Sequence, residues 1–261
     1  MSLPADLEPA IRDPKKLRRT AWILVVVMIV GGALVLKAYE NWASQQATDD
    51  RPAIVHRIQK ERDLRLLRQD GRTAELFDLR SRVFALNVMS LRDPEAATRS
   101  MAVMKRLAEQ RASKKDFHLV TLVIDPTPAD QLHETLAKAA DSHGMKLPQW
   151  WIGSNEPNTL HKFIKNELKA SVFPNEKDGK WQYDPAIVLI DRNGHIRRAV
   201  VPKTLNGKPI KPEVVGFDFD QAAQWDADGL KSGTDLSNEA ALEILLAKTI
   251  DALLAETPES K

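Results

Sequence analysis

The feature that most constrains this chain is an uncharged run near its start, Ala21 to Leu36 (AWILVVVMIVGGALVL). With Thr20 and Lys37 to Tyr39 it reaches 20 residues. A helix of that length spans about 30 Å, the thickness of a bilayer's hydrocarbon core. No polar stripe interrupts the run, which argues against a core helix of a soluble domain. Lys15-Lys16-Leu17-Arg18-Arg19 precede it, whereas Glu40, Asp49 and Asp50 follow with fewer cations. The positive-inside rule then places residues 1–19 in the cytoplasm and everything after Trp42 outside. Trp22 at one end, with Tyr39 and Trp42 at the other, suits the aromatic belts of a single span. A cleaved signal peptide would need a small residue three positions before the cut, and the best candidate cut, after Ala43, has Asn41 there. The run therefore reads as an uncleaved inner-membrane anchor over residues 20–39, with a cytoplasmic tail (1–19) and an extracytoplasmic, periplasmic C-terminal part. Gly31-Gly32 would let another helix approach closely.

Composition narrows the chemistry. Lys+Arg number 38 against 36 Asp+Glu, a net of +2, so there is no electrostatic case for nucleic acid. The apolar fraction of 43% is enough for a folded core. Cysteine is absent, which removes disulfides, thiolate metal ligands, iron–sulfur clusters and thiol redox mechanisms.

Residues 40–62 read as a polar stalk, in which Ile54, Val55 and Ile58 suggest a short amphipathic helix after Pro52. One domain is expected from residue 63 to 261. Asp63–Gln69 and Thr73–Phe77 read as strands across the Asp70-Gly71 turn, and Val83–Val88 as a central strand. A helix is expected from Glu95 through Ala108, a buried strand over His118–Ile124, and a helix over Leu132–Ala140 closed at His143-Gly144. Then come an extended Gln149–Gly153, a helix over Asn158–Leu168 and a hairpin around Lys177-Asp178-Gly179. Ala186–Ile190 and His195–Val201 form a strand pair across Asn193-Gly194, and a last helix covers Ser237–Leu254. Such alternation with very apolar central strands predicts an α/β fold, a thioredoxin-like mixed sheet with helices on both faces. The 27 residues from Leu205 to Lys231 are expected as a long loop that packs on the domain or docks on another protein.

From Asp63 to Val201 the chain resembles the Sco/SenC family of membrane-anchored, thioredoxin-like proteins that handle copper in respiratory oxidase assembly. The resemblance is carried by Asp70-Gly71 followed by Leu76-Phe77-Asp78-Leu79, by the strand Val120–Pro126 (VTLVIDP) ending in Asp-Pro, by Trp151-Ile152-Gly153, and by Val188–Asp191 with Asn193-Gly194. The family pattern implies a Cys-x-x-x-Cys-Pro loop and a distal His. Here the two cysteine positions carry Met89 and Asp93, and Pro185 stands at or beside the His position. A thioether and a carboxylate do not replace two thiolates for Cu(I), and neither forms a disulfide. The resemblance also implies a cis-proline before the closing strand, which Asp184-Pro185-Ala186 resembles; a trans-proline at a strand start is the open alternative.

No two of the six histidines are spaced i, i+4, and His143 with Met145 is too small a set for a metal site. Met101 and Met104 belong to a helical core stripe, and Asp125 reads as a turn former with Pro126. Of Trp150-Trp151, alternation points one inward and leaves the other as a partner anchor, unless both pack. Phe217, Phe219 and Trp225 complete the candidate partner-binding set. The expectation is a non-catalytic, degenerate Sco-like protein without cofactor, metal or small-molecule substrate. It would serve as scaffold, assembly factor or accessory subunit of a membrane complex, respiratory and of cytochrome-oxidase type. Two alternatives are a copper chaperone using Met89, Met145 or His143, and an enzyme using Asp93 or Asp125.

Overall fold

The computed structural model describes residues 14–47, 51–205, 208–230 and 235–256. The chain divides into two units, residues 1–49 with 202–212, and residues 50–201 with 213–261. Helix α1 (Pro14–Ala47) dominates the first. Its stretch Pro14–Tyr39 is long and apolar enough to cross a membrane, the most apolar 18 residues having a mean hydropathy of 2.4. Its aliphatic residues are exposed along the helix, as contact with lipid requires. Such a helix fits a membrane anchor or a signal sequence. Part of the expected tail (1–13) and stalk (48–50) lies outside the described residues.

The remaining elements in chain order are β1 (Ala53–Arg57), β2 (Arg65–Arg68), β3 (Thr73–Glu75), β4 (Val83–Met89), α2 (Thr98–Gln110), β5 (Phe117–Val123), α3 (Ala129–His143), β6 (Trp150–Ser154), α4 (Pro157–Asn166), β7 (Asn175–Lys177), β8 (Lys180–Gln182), β9 (Val188–Ile190), β10 (His195–Leu205), β11 (Lys208–Val215), α5 (Phe219–Ala227) and α6 (Asn238–Ala255). The main sheet has the order β1-β10-β9-β4-β5-β6-β2-β3, with β11 also on β10, while β7 and β8 form a separate hairpin. The centre is parallel. β4 pairs β5 from Val83↔Phe117 to Met89↔Val123, and β5 pairs β6. β9, β10, β1, β2 and β3 join antiparallel. Every residue of β4 and β5 is buried, because both faces are covered.

Alternation along β4 separates the faces. Asn87 points towards α2, where its Nδ2 meets Met101 Sδ at 3.1 Å. Thr121 Oγ1 donates to Asn87 Oδ1 (2.8 Å) and accepts from Trp150 Nε1 (3.0 Å), so the polar atoms in this layer are paired. Val88, on the opposite face, lines a small cavity with Ile164 and Leu168 of the α4 segment. Helices therefore cover both faces. Three arginines of the α2 segment hold the C-terminal helices: Arg99 pairs with Asp220 and Glu239, Arg106 with Glu243, and Arg111 with Asp251.

Two expected elements are corrected. Residues 53–57 form strand β1 on β10 instead of a helix after Pro52. β-branched Ile54 and Val55 suit the open edge of β10, and Arg197 Nε fixes the entry by donating to the Pro52 carbonyl (3.0 Å). The expected loop 205–231 holds β11 and α5. Asn206-Gly207 between β10 and β11 is a hairpin signal in the sequence. Asp218 caps α5 by accepting from the Asp220 and Gln221 amides.

Candidate functional site

The C-terminal ends of β4 and β5 lie side by side, with Ile124 N donating to Met89 O at 3.1 Å. The loop Ser90–Pro94 leaves β4 and enters a 3-10 turn at Pro94 and then α2. Its amides must find acceptors once buried, and two side chains supply them. Ser90 Oγ accepts from Arg92 N (3.2 Å) and Asp93 N (3.0 Å), and donates to Asp125 Oδ1 (2.7 Å). Asp125 Oδ2 accepts from Leu91 N at 2.5 Å. Arg92 Nε adds a bond to Asp125 Oδ1 (3.2 Å). Ser90 and Asp125 are both buried, and every side-chain oxygen they carry is engaged.

The β7–β8 hairpin joins this loop. Its turn uses Asp178 and Gly179 at φ of 54° and 77°, the left-handed pair of a type I′ turn. Arg92 Nη2 donates to Glu176 Oε2 (3.2 Å), and its guanidinium lies 5.6 Å from the centre of the Trp181 ring. Trp181 N donates to Asp93 Oδ2 (3.2 Å). His161 of α4 meets Trp181 edge-on at 5.5 Å and Phe173 at 6.0 Å, and its Nε2 lies 3.0 Å from the Ile124 carbonyl oxygen. Tyr183 is 8% exposed. Burial pushes its phenol well above the ordinary range, opposed by the Ser90 N–H and reinforced by Asp93, Asp125 and Asp220. Its hydroxyl faces the Ser90 N–H but completes no well-formed hydrogen bond among the described residues, and neither does the Trp181 indole N–H.

Met89 is buried in the core at 1% exposure, so its thioether lies among packed apolar side chains. Asp93 precedes the 3-10 turn without a side-chain capping bond and is half-buried. Asp184-Pro185 is trans, and the cis bond among the described residues is Leu147-Pro148. Asp184 instead anchors its turn, accepting from Ser171 N and Ala186 N. Met145 is buried. Burial and the nearby Lys105 hold the His143 pKa below its ordinary value. No cluster of three His, Cys, Asp or Glu side chains suited to a metal occurs among the described residues.

The partner-anchor set is also corrected. Trp150 and Trp151 are both buried, at 2% and 6% exposure. Trp151 Nε1 donates to Pro148 O, and Arg68 lies over its ring. Both faces of β6 are covered, so alternation leaves neither outside. Phe217 and Phe219 are buried as well, while Trp225 is exposed. Sequence reading missed Ser90, Arg92, His161, Glu176, Trp181 and Tyr183. The one local signal was Ser90 three residues before Asp93-Pro94, a hydroxyl placed to accept the next amides.

No protein-family model and no curated protein matches the chain. Among solved structures, it is similar to BsSco, a member of the Sco family of cytochrome c oxidase assembly proteins. That alignment has 13% identity, covers 80% of this chain and 99% of that one, and gives a TM-score of 0.50. The chain has the thioredoxin-like fold of Sco proteins. Other similar structures are a SCO1/SenC family lipoprotein from Bacillus anthracis str. Ames (18% identity, 56% and 84% coverage, TM-score 0.46) and peroxidoxin BcpB from Mycobacterium tuberculosis (14%, 79% and 99%, 0.44). In this Sco-like fold, the loop after the central strand holds Ser90, Arg92 and Asp93 in a closed hydrogen-bond network.

Proposed function

We propose that the chain is a non-catalytic, single-span Sco-like protein. It acts as scaffold, assembly factor or accessory subunit of a membrane complex, respiratory and of cytochrome-oxidase type. Helix α1 serves as the inner-membrane anchor, with residues 1–19 cytoplasmic and the α/β domain periplasmic. The observation that carries this reading is the loop Ser90–Asp93. In a chain without a thiol, the Ser90 hydroxyl and the Asp125 carboxylate are spent on each other and on the loop amides, and Asp93 Oδ2 accepts from Trp181 N, so the loop offers neither a thiolate nor another soft ligand. A fold retained without that chemistry is suited to binding. The test is gentle purification of the full chain from its native membrane. Stoichiometric co-purification of oxidase subunits supports the proposal, and a lone monomer in every mild detergent refutes it. Anaerobic Cu(I) titration is the control: binding stronger than a weak competing chelator would favour a copper chaperone instead.

A further inference from the structure

A groove of about 590 Å³ runs between α4 and the 3-10 turn Lys60–Arg62, with Leu64 and Phe163 in its floor. Its two acids are satisfied from within. Asp63 accepts from Leu64 N (2.8 Å) and Phe77 N (3.0 Å). Glu167 is paired with His56 at 3.2 Å and Arg62 at 3.1 Å. Its cations are not all satisfied. Lys162 and Lys169 are exposed and form no hydrogen bond or ion pair within the described residues. Lys169 also has φ of 59°, a left-handed conformation that glycine takes freely and lysine does not. The end of α4 imposes this bend: Ala170 N donates to Ile164 O, and Lys165 Nζ closes on the Ala170 and Ser171 carbonyls. A lysine is kept at a position suited to glycine, and no internal contact offsets its strain.

We propose that this groove docks an acidic peptide segment of a partner protein, held by Lys162 and Lys169. Lys162 stands on α4 and Lys169 lies past its end at Asn166, so the two ammonium groups rise from different segments of the groove wall. A groove of about 590 Å³ is several times the size of one phosphate and takes a short extended peptide. Such a peptide advances about 3.3 Å per residue, so carboxylates a few residues apart reach lysines on separate segments. Asn166 offers an amide on the same wall. This inference needs only the groove and is independent of the oxidase reading.

The test uses the full chain in neutral phosphatidylcholine nanodiscs and a fluorescein-labelled peptide of about ten residues with two glutamates three apart. Its glutamine twin is the control. Fluorescence anisotropy should show salt-sensitive binding of the glutamate peptide and not of the twin. Lys162→Ala and Lys169→Gly should each weaken it about threefold, and the pair about tenfold. Lys169→Gly should leave the melting temperature unchanged or raised, which separates lost binding from lost folding. Equal binding of both peptides, or unchanged affinity in the double variant, overturns the proposal. So does lysine-dependent binding of inorganic phosphate or phosphatidylglycerol nanodiscs without binding of the peptide.

Discussion

Replacing Asp125 should unlock the loop at the end of β4, and the cost follows from its partners. Asp125→Ala removes the acceptor of Ser90 Oγ (2.7 Å), of Leu91 N and of Arg92 Nε. The first two donors lie at a buried site, and each loses a charged acceptor at about 1–3 kcal/mol. The Arg92 side chain is half exposed and rehydrates, so its pair contributes about 0–1 kcal/mol. The sum is about 4 kcal/mol. For a domain of this size, each kcal/mol moves the midpoint by about 2–4 °C, giving a fall of about 8–16 °C. Asp125→Asn keeps the shape and one acceptor oxygen and should cost about half as much. The assay is thermal unfolding of the full chain in detergent, followed by circular dichroism. A midpoint within about 2 °C of the parent for Asp125→Ala would refute the account, since the loop would then be held by something other than Asp125.

Three further outcomes are expected. Tyr183→Phe removes a buried hydroxyl that completes no well-formed hydrogen bond among the described residues and should stabilise the domain by about 1 kcal/mol in urea unfolding; destabilisation would mean that the nearby Ser90 N–H satisfies the hydroxyl. Arg197→Met strips the buried guanidinium from Asp191 (2.7 Å), Glu256 (2.6 Å) and the Pro52 carbonyl, and should cost about 3–5 kcal/mol while freeing β1 for early proteolysis. Asp63 is pushed up to about 6 by burial, against the Phe77 and Leu64 amides. Because the folded state favours its neutral form, the stability this group adds is complete below the unfolded value and is lost as pH rises through about 6. The stability of the parent minus that of Asp63→Asn should therefore fall between about pH 4 and pH 6; a rise over that window would reverse the sign of the burial argument.

The central sheet was legible because its strands are buried on both faces. Val83–Met89 and Phe117–Val123 read as apolar runs, and no partner had to be known to recognise them. Helix ends with local chemistry were legible too, such as Gly144 in its left-handed cap after α3. What failed was decided at long range. Ile54, Val55 and Ile58 have helical spacing, but the open edge of β10, some 140 residues later, made residues 53–57 a strand. Trp150 and Trp151 could be separated into inner and outer only if one face of β6 were bare, and neither is. The candidate site was legible only as a loss, since the empty cysteine count says nothing about what fills the space. The replacement, Ser90 to Asp125 and Arg92 to Glu176, joins residues 35 and 84 positions apart.

That replacement leads to a last prediction, for which the cysteine-free chain offers a background without other thiols. Met89 and Asp93 are four residues apart, yet they occupy different environments. Met89 is a buried strand residue, 1% exposed, paired with Val123. Asp93 is half-buried on the loop, where it accepts the Trp181 amide. A thiol reacts as its thiolate, and burial in apolar surroundings suppresses ionisation as well as access. Met89→Cys should resist Ellman's reagent until the domain unfolds, so its labelling rate should follow the opening equilibrium and rise with urea. Asp93→Cys should label in the folded protein, and losing the acceptor for Trp181 N should loosen the β7–β8 hairpin at about 1 kcal/mol. Equal native-state labelling at the two positions would refute the argument. It would mean that the end of β4 is open and could present a thiol to a partner, so the chemistry of this site would be limited by residue identity alone and not by the closed loop.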